Sequence, residues 1–283
     1  PHINLALEEY LFSNVSEDTA VFWINSPCVV IGKFQNAYAE ANLRKLRDEN
    51  IPLLRRISGG GCVYHDLGNL NISFIKHGSH EEKTDFAAMI ISVLKKIGID
   101  ADLNEKGDIT LFCKKISGSA QCVKGDKTLH HCTLLVSSDL VSLKNRLSSA
   151  RGEIISKAVK SIPSPVDNIV TFYEDVDIEM IKNALITELC DEKLDFCISD
   201  EIKKLADEKY CNFEWNFGKS PEFVQKISEN GEMYEVAVKN GIIKAFESSD
   251  LKFKAFSDTL SGCRFDIDDV EKASRELAHI LFL

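Results

Sequence analysis

Leu53-Leu-Arg-Arg-Ile-Ser-Gly-Gly-Gly-Cys-Val-Tyr-His-Asp-Leu-Gly-Asn69 is the stretch from which the rest of the chain can be read. An apolar run enters two arginines, Arg55 and Arg56, and three consecutive glycines follow at Gly59 to Gly61. Glycine has no Cβ, so its N–H can approach a ligand closely and its φ can turn positive without strain. An arginine beside such a loop offers five fixed donors suited to phosphate or carboxylate. Two readings stay open on this chemistry alone. One is a loop that cradles an anion; the other is a flexible turn between two strands.

Composition narrows the surroundings of that loop. A length of 283 residues suggests about two domains. With 44% apolar and 28% charged residues the chain has the make-up of an ordinary globular protein. No apolar run approaches the ~20 residues that a bilayer helix needs, so no membrane is expected as a partner. The opening residues carry no signal-peptide pattern, and a cytoplasmic location is expected. Nine cysteines, odd in number and scattered through apolar segments, suit a reducing compartment rather than a disulfide framework. A formal charge of −10 argues against nucleic acid as a partner while leaving room for a local basic pocket.

Periodicity places the elements around the loop. Apolar residues at helical spacing predict an opening helix over Ile3 to Phe12, with Glu8 and Glu9 mostly on its outer face. Short β-rich runs at Ala20 to Ile24 and Cys28 to Gly32 suggest a hairpin. A helix is expected over Ala39 to Glu49, a strand over Ile51 to Leu54, and another over Asn71 to Ile75. A long helix from Glu81 to Ile97 should close at Gly98. Asp108 to Cys113 reads as a strand, with Lys115 just beyond it, and Gly125-Asp126 as a turn into a strand through His130 to Leu135. Helices follow at Asp177 to Cys190 and Ser199 to Lys209. Asn230-Gly231 and Asn240-Gly241, each between alternating runs, predict two tight hairpins and a three-stranded meander. A last helix is expected over Asp268 to Leu281. The division falls near Gly218 to Pro221, giving residues 1–218 and 219–283 as the two units.

Few residues outside the loop carry a chemical signal. Gly118 to Thr128 looks at first like a phosphate-binding P-loop, but six residues separate its glycines and Asp126 precedes Lys127, so the pattern fails twice. Lys115, beside Ser117-Gly118-Ser119, is placed to supply a positive charge to a phosphate or a polarised carboxyl oxygen. Lys114, one residue earlier on a strand, should face the other way. His65 and His131 suit a pocket wall, and His130 the core. Adjacent histidines on a strand point apart and no zinc-type spacing accompanies them, so a metal cluster is not expected. Cys28, Cys62, Cys113, Cys122 and Cys132 read as structural thiols rather than nucleophiles.

Six segments then carry a family resemblance. They are Ile3-Asn-Leu-Ala-Leu-Glu-Glu9, Val29-Val-Ile-Gly-Lys-Phe-Gln-Asn36, Arg55 to Asn69, Lys115-Ile-Ser-Gly-Ser-Ala120, His130-His-Cys-Thr-Leu-Leu135 and Glu214-Trp-Asn-Phe-Gly218. In order and spread they resemble lipoate–protein ligase A and its eukaryotic lipoyltransferase relatives. The resemblance implies an α/β (α+β) catalytic domain of the biotinyl/lipoyl ligase type, followed by a small C-terminal α+β accessory domain. It implies lipoate as substrate with ATP and Mg²⁺, lipoyl-adenylate as intermediate, and transfer to a lysine. The acceptors would be apo-lipoyl domains of 2-oxoacid dehydrogenase E2 subunits and the glycine-cleavage H protein. The location would be the cytoplasm, or the mitochondrial matrix in a eukaryote. By the same resemblance Lys115 would be the catalytic residue, bridging the carboxyl oxygen and α-phosphate. Arg56, Gly60, Gly61, Cys62, Val63, Tyr64, His65 and His131 would bind the activated group. Asp108 would help to orient Mg²⁺. One departure stands out: the family has Asn where this chain has Gly107. Two alternatives keep the fold, a transferase without the activation step and a lipoate-binding protein without catalysis.

Overall fold

The computed structural model describes residues 1–78, 83–147, 151–194 and 196–282. The described residues form four small sheets with helices packed on them. The first sheet is antiparallel, in the order Thr19–Ile24, Asn69–His77, Lys127–Leu135, Ser119–Lys124. Its strands alternate with a period of two. Leu70, Ile72, Cys132 and Leu134 pack on one face against the helices Lys83–Lys96 and Ile178–Leu189. The other face carries Asn69, Asn71, Ser73 and His131, all buried although polar. That face looks toward the second sheet, where Cys28–Ile31 lies between Leu53–Arg55, parallel to it, and Val63–His65, antiparallel. The glycine stretch connects these two outer strands.

Arg55 and Arg56, neighbours in sequence, part company here. The fully buried Arg55 donates to the carbonyls of Gly32, Lys33, Gln35, Trp215 and Asn216 and to Ser220 Oγ. Such complete pairing is what makes a buried charge tolerable. It rivets the segment after Ile31 to the turn Glu214–Gly218.

Several expected elements come out divided. The helix over 39–49 is two, Ala37–Glu40 and Leu43–Asp48, because Ala41 is extended and Asn42 restarts the chain by capping Lys45 N–H. Asparagine competes with the backbone in this way and favours caps over helix interiors. The last helix is likewise Ile267–Ala273 and Arg275–Phe282, broken at an extended Ser274 whose hydroxyl caps Leu277. The helix from Asp200 ends at Leu205 and widens into a π turn over Ala206–Tyr210. The long helix begins at Lys83; the expected start at Glu81 lies outside the described residues. Both Asn-Gly hairpins form with all four residues at positive φ, between 52° and 84°.

The meander gains a strand. Phe223–Glu229, Glu232–Lys239 and Ile242–Ser248 are joined at the edge by Glu153–Ser156. One apolar cluster runs from Val29, Ile31 and Tyr38 through Phe223, Val236 and Phe246 to Leu281. Among the described residues no helix is long and apolar enough to cross a membrane.

Candidate active site

A cavity of about 840 Å³ lies between the polar face of the first sheet, the glycine loop and residues 159–166. Lys115 stands on its wall. The strand expected through Cys113 stops at Leu111, and a tight turn sends the chain back as Lys114–Lys115. Phe112 and Cys113 hold φ of 47° and 64°, the doubly left-handed turn of a two-residue hairpin. Lys115 is pinned on both sides, its N–H donating to Pro165 O at 3.0 Å and its carbonyl accepting from Asp167 N–H at 3.2 Å. Its Nζ lies 2.9 Å from Oδ1 of the buried Asp108. Lys114 faces solvent, as strand alternation requires. Gly107 sits at φ 74° in the turn that precedes Asp108. Glycine and asparagine are the residues that visit this conformation most readily, so the departure from Asn has a backbone explanation.

The loop folds around Arg56. The guanidinium donates from Nε to Ser58 Oγ and Gly59 O, from Nη1 to Val30 O, and from Nη2 to Gly59 O and Gly61 O. Burial lowers its pKa to about 10, which leaves it charged at neutral pH. Its charge is presented to the cavity while its donors shape the loop. Gly60 has φ 85°, and a Cβ there would lie 2.9 Å from Arg56 Nη2. Gly61 is less constrained, with Ser161 Oγ at 3.2 Å from such an atom. Gly32 is the tightest of all, since its Cβ would meet Gly60 O at 2.2 Å. The N–H of Cys62 donates to Ser161 Oγ at 2.8 Å, and Gln35 and Glu40 hold the same hydroxyl.

Beneath the loop runs a buried polar chain. Ser58 Oγ lies 2.6 Å from His131 Nε2, and His131 Nδ1 lies 2.8 Å from Glu8 Oε1. Glu8 also accepts from Ser73 Oγ at 2.6 Å. Burial pushes the Glu8 carboxyl up, but His131 and these hydrogen bonds outweigh it and leave the pKa below the ordinary value. The expectation that Glu8 faces outward with Glu9 is therefore corrected. Leu5, Ala6, Glu8, Leu11 and Phe12 are all buried, so most of this helix's circumference is covered and its outer face is narrow.

Arg56, Gly60, Gly61, Cys62, Val63, Tyr64, His65, Lys115 and His131 all line the cavity, and Asp108 reaches it through Lys115. His130 points the other way and stacks on Phe86 at 4.1 Å. Burial raises the Cys28 thiol to about 12 and pushes Cys62 higher still, so neither is a thiolate at neutral pH. Sequence reasoning passed over Glu8, Gly32, Ser58, Glu40, Ser161 and the covering segment 159–166. The signal for the polar chain was present in Asn69-Leu-Asn-Ile-Ser-Phe74, polar and apolar by turns inside a core strand.

The model of the lipoyl protein ligase A/B catalytic domain matches residues 1–190. Lipoate–protein ligase 1 of Staphylococcus aureus is 34% identical over 297 residues, covering 98% of this chain and 90% of that protein. A lipoate-protein ligase A crystal structure with bound ATP superposes with a TM-score of 0.65 at 29% identity, covering 77% of this chain and 94% of the other. A bipartite lipoate protein ligase of Thermoplasma acidophilum, described with its E2 lipoyl domain, gives a TM-score of 0.64 at 28% identity, covering 77% and 92%.

Proposed function

The chain belongs to the lipoyl protein ligase A/B catalytic-domain family, and from that premise we propose a two-step lipoate–protein ligase that works in this cavity. Lipoate carboxylate attacks the α-phosphorus of ATP and pyrophosphate leaves. The ε-amine of an acceptor lysine then attacks the acyl carbon of lipoyl-adenylate, the C–O bond of the mixed anhydride breaks, and AMP leaves. The observation that carries the reading is one cavity with two chemistries: Lys115 with the glycine loop, and an apolar wall that includes Leu5, Trp23, Val30 and Leu135.

Asp108 aims the Lys115 ammonium before ligand enters. Once the carboxylate and α-phosphate are in place, the ammonium lies against charge that develops in both steps, where a preorganised cation acts most strongly. Arg56 adds positive potential on the other side. Segment 159–166 excludes water from the anhydride. Among the described residues no cluster of three or more His, Cys, Asp or Glu could hold a resident metal. One carboxylate, Asp108, is what a Mg²⁺ arriving on ATP phosphates needs, since this ion commonly takes one or two carboxylates plus phosphate oxygens. Bound there, it would neutralise phosphate charge.

Apo-lipoyl domains and the glycine-cleavage H protein are the proposed acceptors. With all nine cysteines free, the cytoplasm or mitochondrial matrix is the proposed compartment. Residues 1–218 would form the catalytic unit and 219–283 the accessory one. Incubation with ATP, Mg²⁺, lipoate and an apo-lipoyl domain, read by intact mass, is expected to add one lipoyl group per acceptor. Lipoylation from supplied lipoyl-adenylate alone, with no ATP–pyrophosphate exchange, would overturn the activation step.

A further inference from the structure

His65 carries one buried nitrogen that the fold leaves unsatisfied. Its residue is 4% exposed, it lines the cavity, and Nε2 has no hydrogen-bond partner among the described residues. The other ring nitrogen is fully accounted for. The carbonyl of Ile24 can only accept, so Asn4 turns its amide nitrogen toward it, and that nitrogen also donates to Asn25 Oδ1 at 2.9 Å. Asn25 must then present its own Nδ2–H to His65, whose Nδ1 accepts at 3.0 Å. A nitrogen that accepts carries no proton, so the imidazole proton resides on Nε2. Burial, then Arg56 and His131, hold the pKa near 3 and keep the ring neutral. The result is a fixed, uncharged N–H donor, itself buried, on a residue that lines the cavity.

Its place along the cavity follows from the sheet. Trp23 pairs with Asn71, Asn71 with Thr133, and Thr133 N–H donates to Gly118 O. All four residues line the cavity. This row spans three strand spacings, about 14 Å at ~4.8 Å each. Gly118 belongs to the end that holds Lys115, Ser117 and Ser119. His65 belongs to the opposite end, with its ring edge-on to Trp23 at 6.0 Å. A carboxylate held at Lys115 therefore sends the far end of its chain toward His65. A plain fatty acyl chain ends there in a methyl group, which cannot accept a hydrogen bond. A dithiolane ring ends there in sulfur, a weak acceptor.

We propose that His65 Nε2–H donates to a dithiolane sulfur and is the residue by which this enzyme prefers lipoate to sulfur-free acids of similar shape. The assignment rests on the lipoate-ligase reading and adds the chemical basis of its selectivity. The test uses the whole protein and ATP–pyrophosphate exchange with two acids. These are lipoate and 5-cyclopentylpentanoate, which keeps the five-membered ring and loses both sulfurs. The wild type is expected to favour lipoate in kcat/KM. His65→Phe, which keeps a flat ring but no donor, should lower that preference about 3- to 10-fold, the worth of one modest hydrogen bond. His65→Gln, which restores an N–H, should recover part of it. Because the readout is a ratio within each variant, a partly destabilised protein still reports. An unchanged ratio in His65→Phe overturns this inference and leaves the ligase reading intact. A wild type that exchanges pyrophosphate with neither acid overturns the ligase reading and this inference with it.

Discussion

The sheet built by residues 223–248 and the sheet built by residues 19–135 treat polar side chains in opposite ways. In the first, Phe223, Ile227, Tyr234, Val236 and Phe246 point inward and most polar residues point to water. Gln225 is a buried exception, satisfied by the carbonyls of Arg151 and Leu281. In the second, much of one face is polar and still buried, at Asn69, Asn71, Ser73 and His131. Burying polar groups is unfavourable unless they bond to one another, and there Glu8, Ser58, Ser73 and His131 do so. A buried polar sheet face is thus a mark of a site, and an alternating amphipathic sheet is a mark of a scaffold. Substitutions on the two sheets should accordingly fail in different assays.

The largest effect is expected at Lys115. Lys115→Ala should lose on the order of 10²- to 10³-fold in both half-reactions, the usual consequence of removing one electrostatic stabiliser. Lys114→Ala should stay within a few-fold. Equal and mild losses at both positions, with circular dichroism unchanged, would erase the distinction between the two faces of that strand.

Next comes Glu8. Replacing it with Ala strands His131 and Ser73 and should lower stability by about 1.5–3 kcal/mol, the range for a hydrogen bond to a charged group. The pH dependence has a definite sign. A carboxyl whose folded pKa lies below its ordinary 4.5 binds its proton more weakly folded than unfolded. Its contribution is whole above that value and disappears as pH falls through the folded one. Urea midpoints of Glu8→Gln should therefore fall less steeply than wild type below about pH 4.5. Superimposable acid limbs would refute the assignment.

Gly60→Ala should cost about 1–2 kcal/mol through its left-handed backbone and should impair adenylate formation by displacing Arg56. Gly59→Ala meets only the Phe34 ring at 3.9 Å and should be nearly silent. Loss of adenylation at both glycines alike would mean that the loop responds to any added bulk.

The smallest effect belongs to the scaffold. Ile243→Val, at a fully buried position of the meander, should cost about 0.5–1.5 kcal/mol of stability and leave turnover per folded molecule unmoved. A change in turnover would couple the two sheets more tightly than their shared apolar cluster suggests.

The scaffold was the more legible of the two. Asn230-Gly231 and Asn240-Gly241 announce their hairpins because a type I′ turn needs positive φ at both central residues, and both have it. Lys115 stands out in sequence through its Ser-Gly-Ser neighbours and the family resemblance, and strand alternation correctly set its facing apart from that of Lys114. What stayed hidden depended on contacts far along the chain. Glu8 reads as a solvent residue until His131, 123 positions later, is folded beneath it. Glu153–Ser156 carries no local sign that it will pair with Phe223–Lys226. Arg55 and Arg56 look equivalent in sequence, and only the turn at Glu214–Gly218 separates a rivet from a loop organiser.

Arg55 also sets an order of events during synthesis. Half of its acceptors come from Gly32, Lys33 and Gln35, made before it; the others come from Trp215, Asn216 and Ser220, about 160 positions later. At ~5–20 residues per second the ribosome needs about 8 to 30 s to supply them. Through that interval the guanidinium can be hydrated but not buried, because an unpaired charge in the interior is too unfavourable. The strand leading into the glycine loop consequently cannot lock while the nascent chain is short of residue 215. A ribosome stalled there would carry the side chains that line the cavity and no finished cavity to hold them.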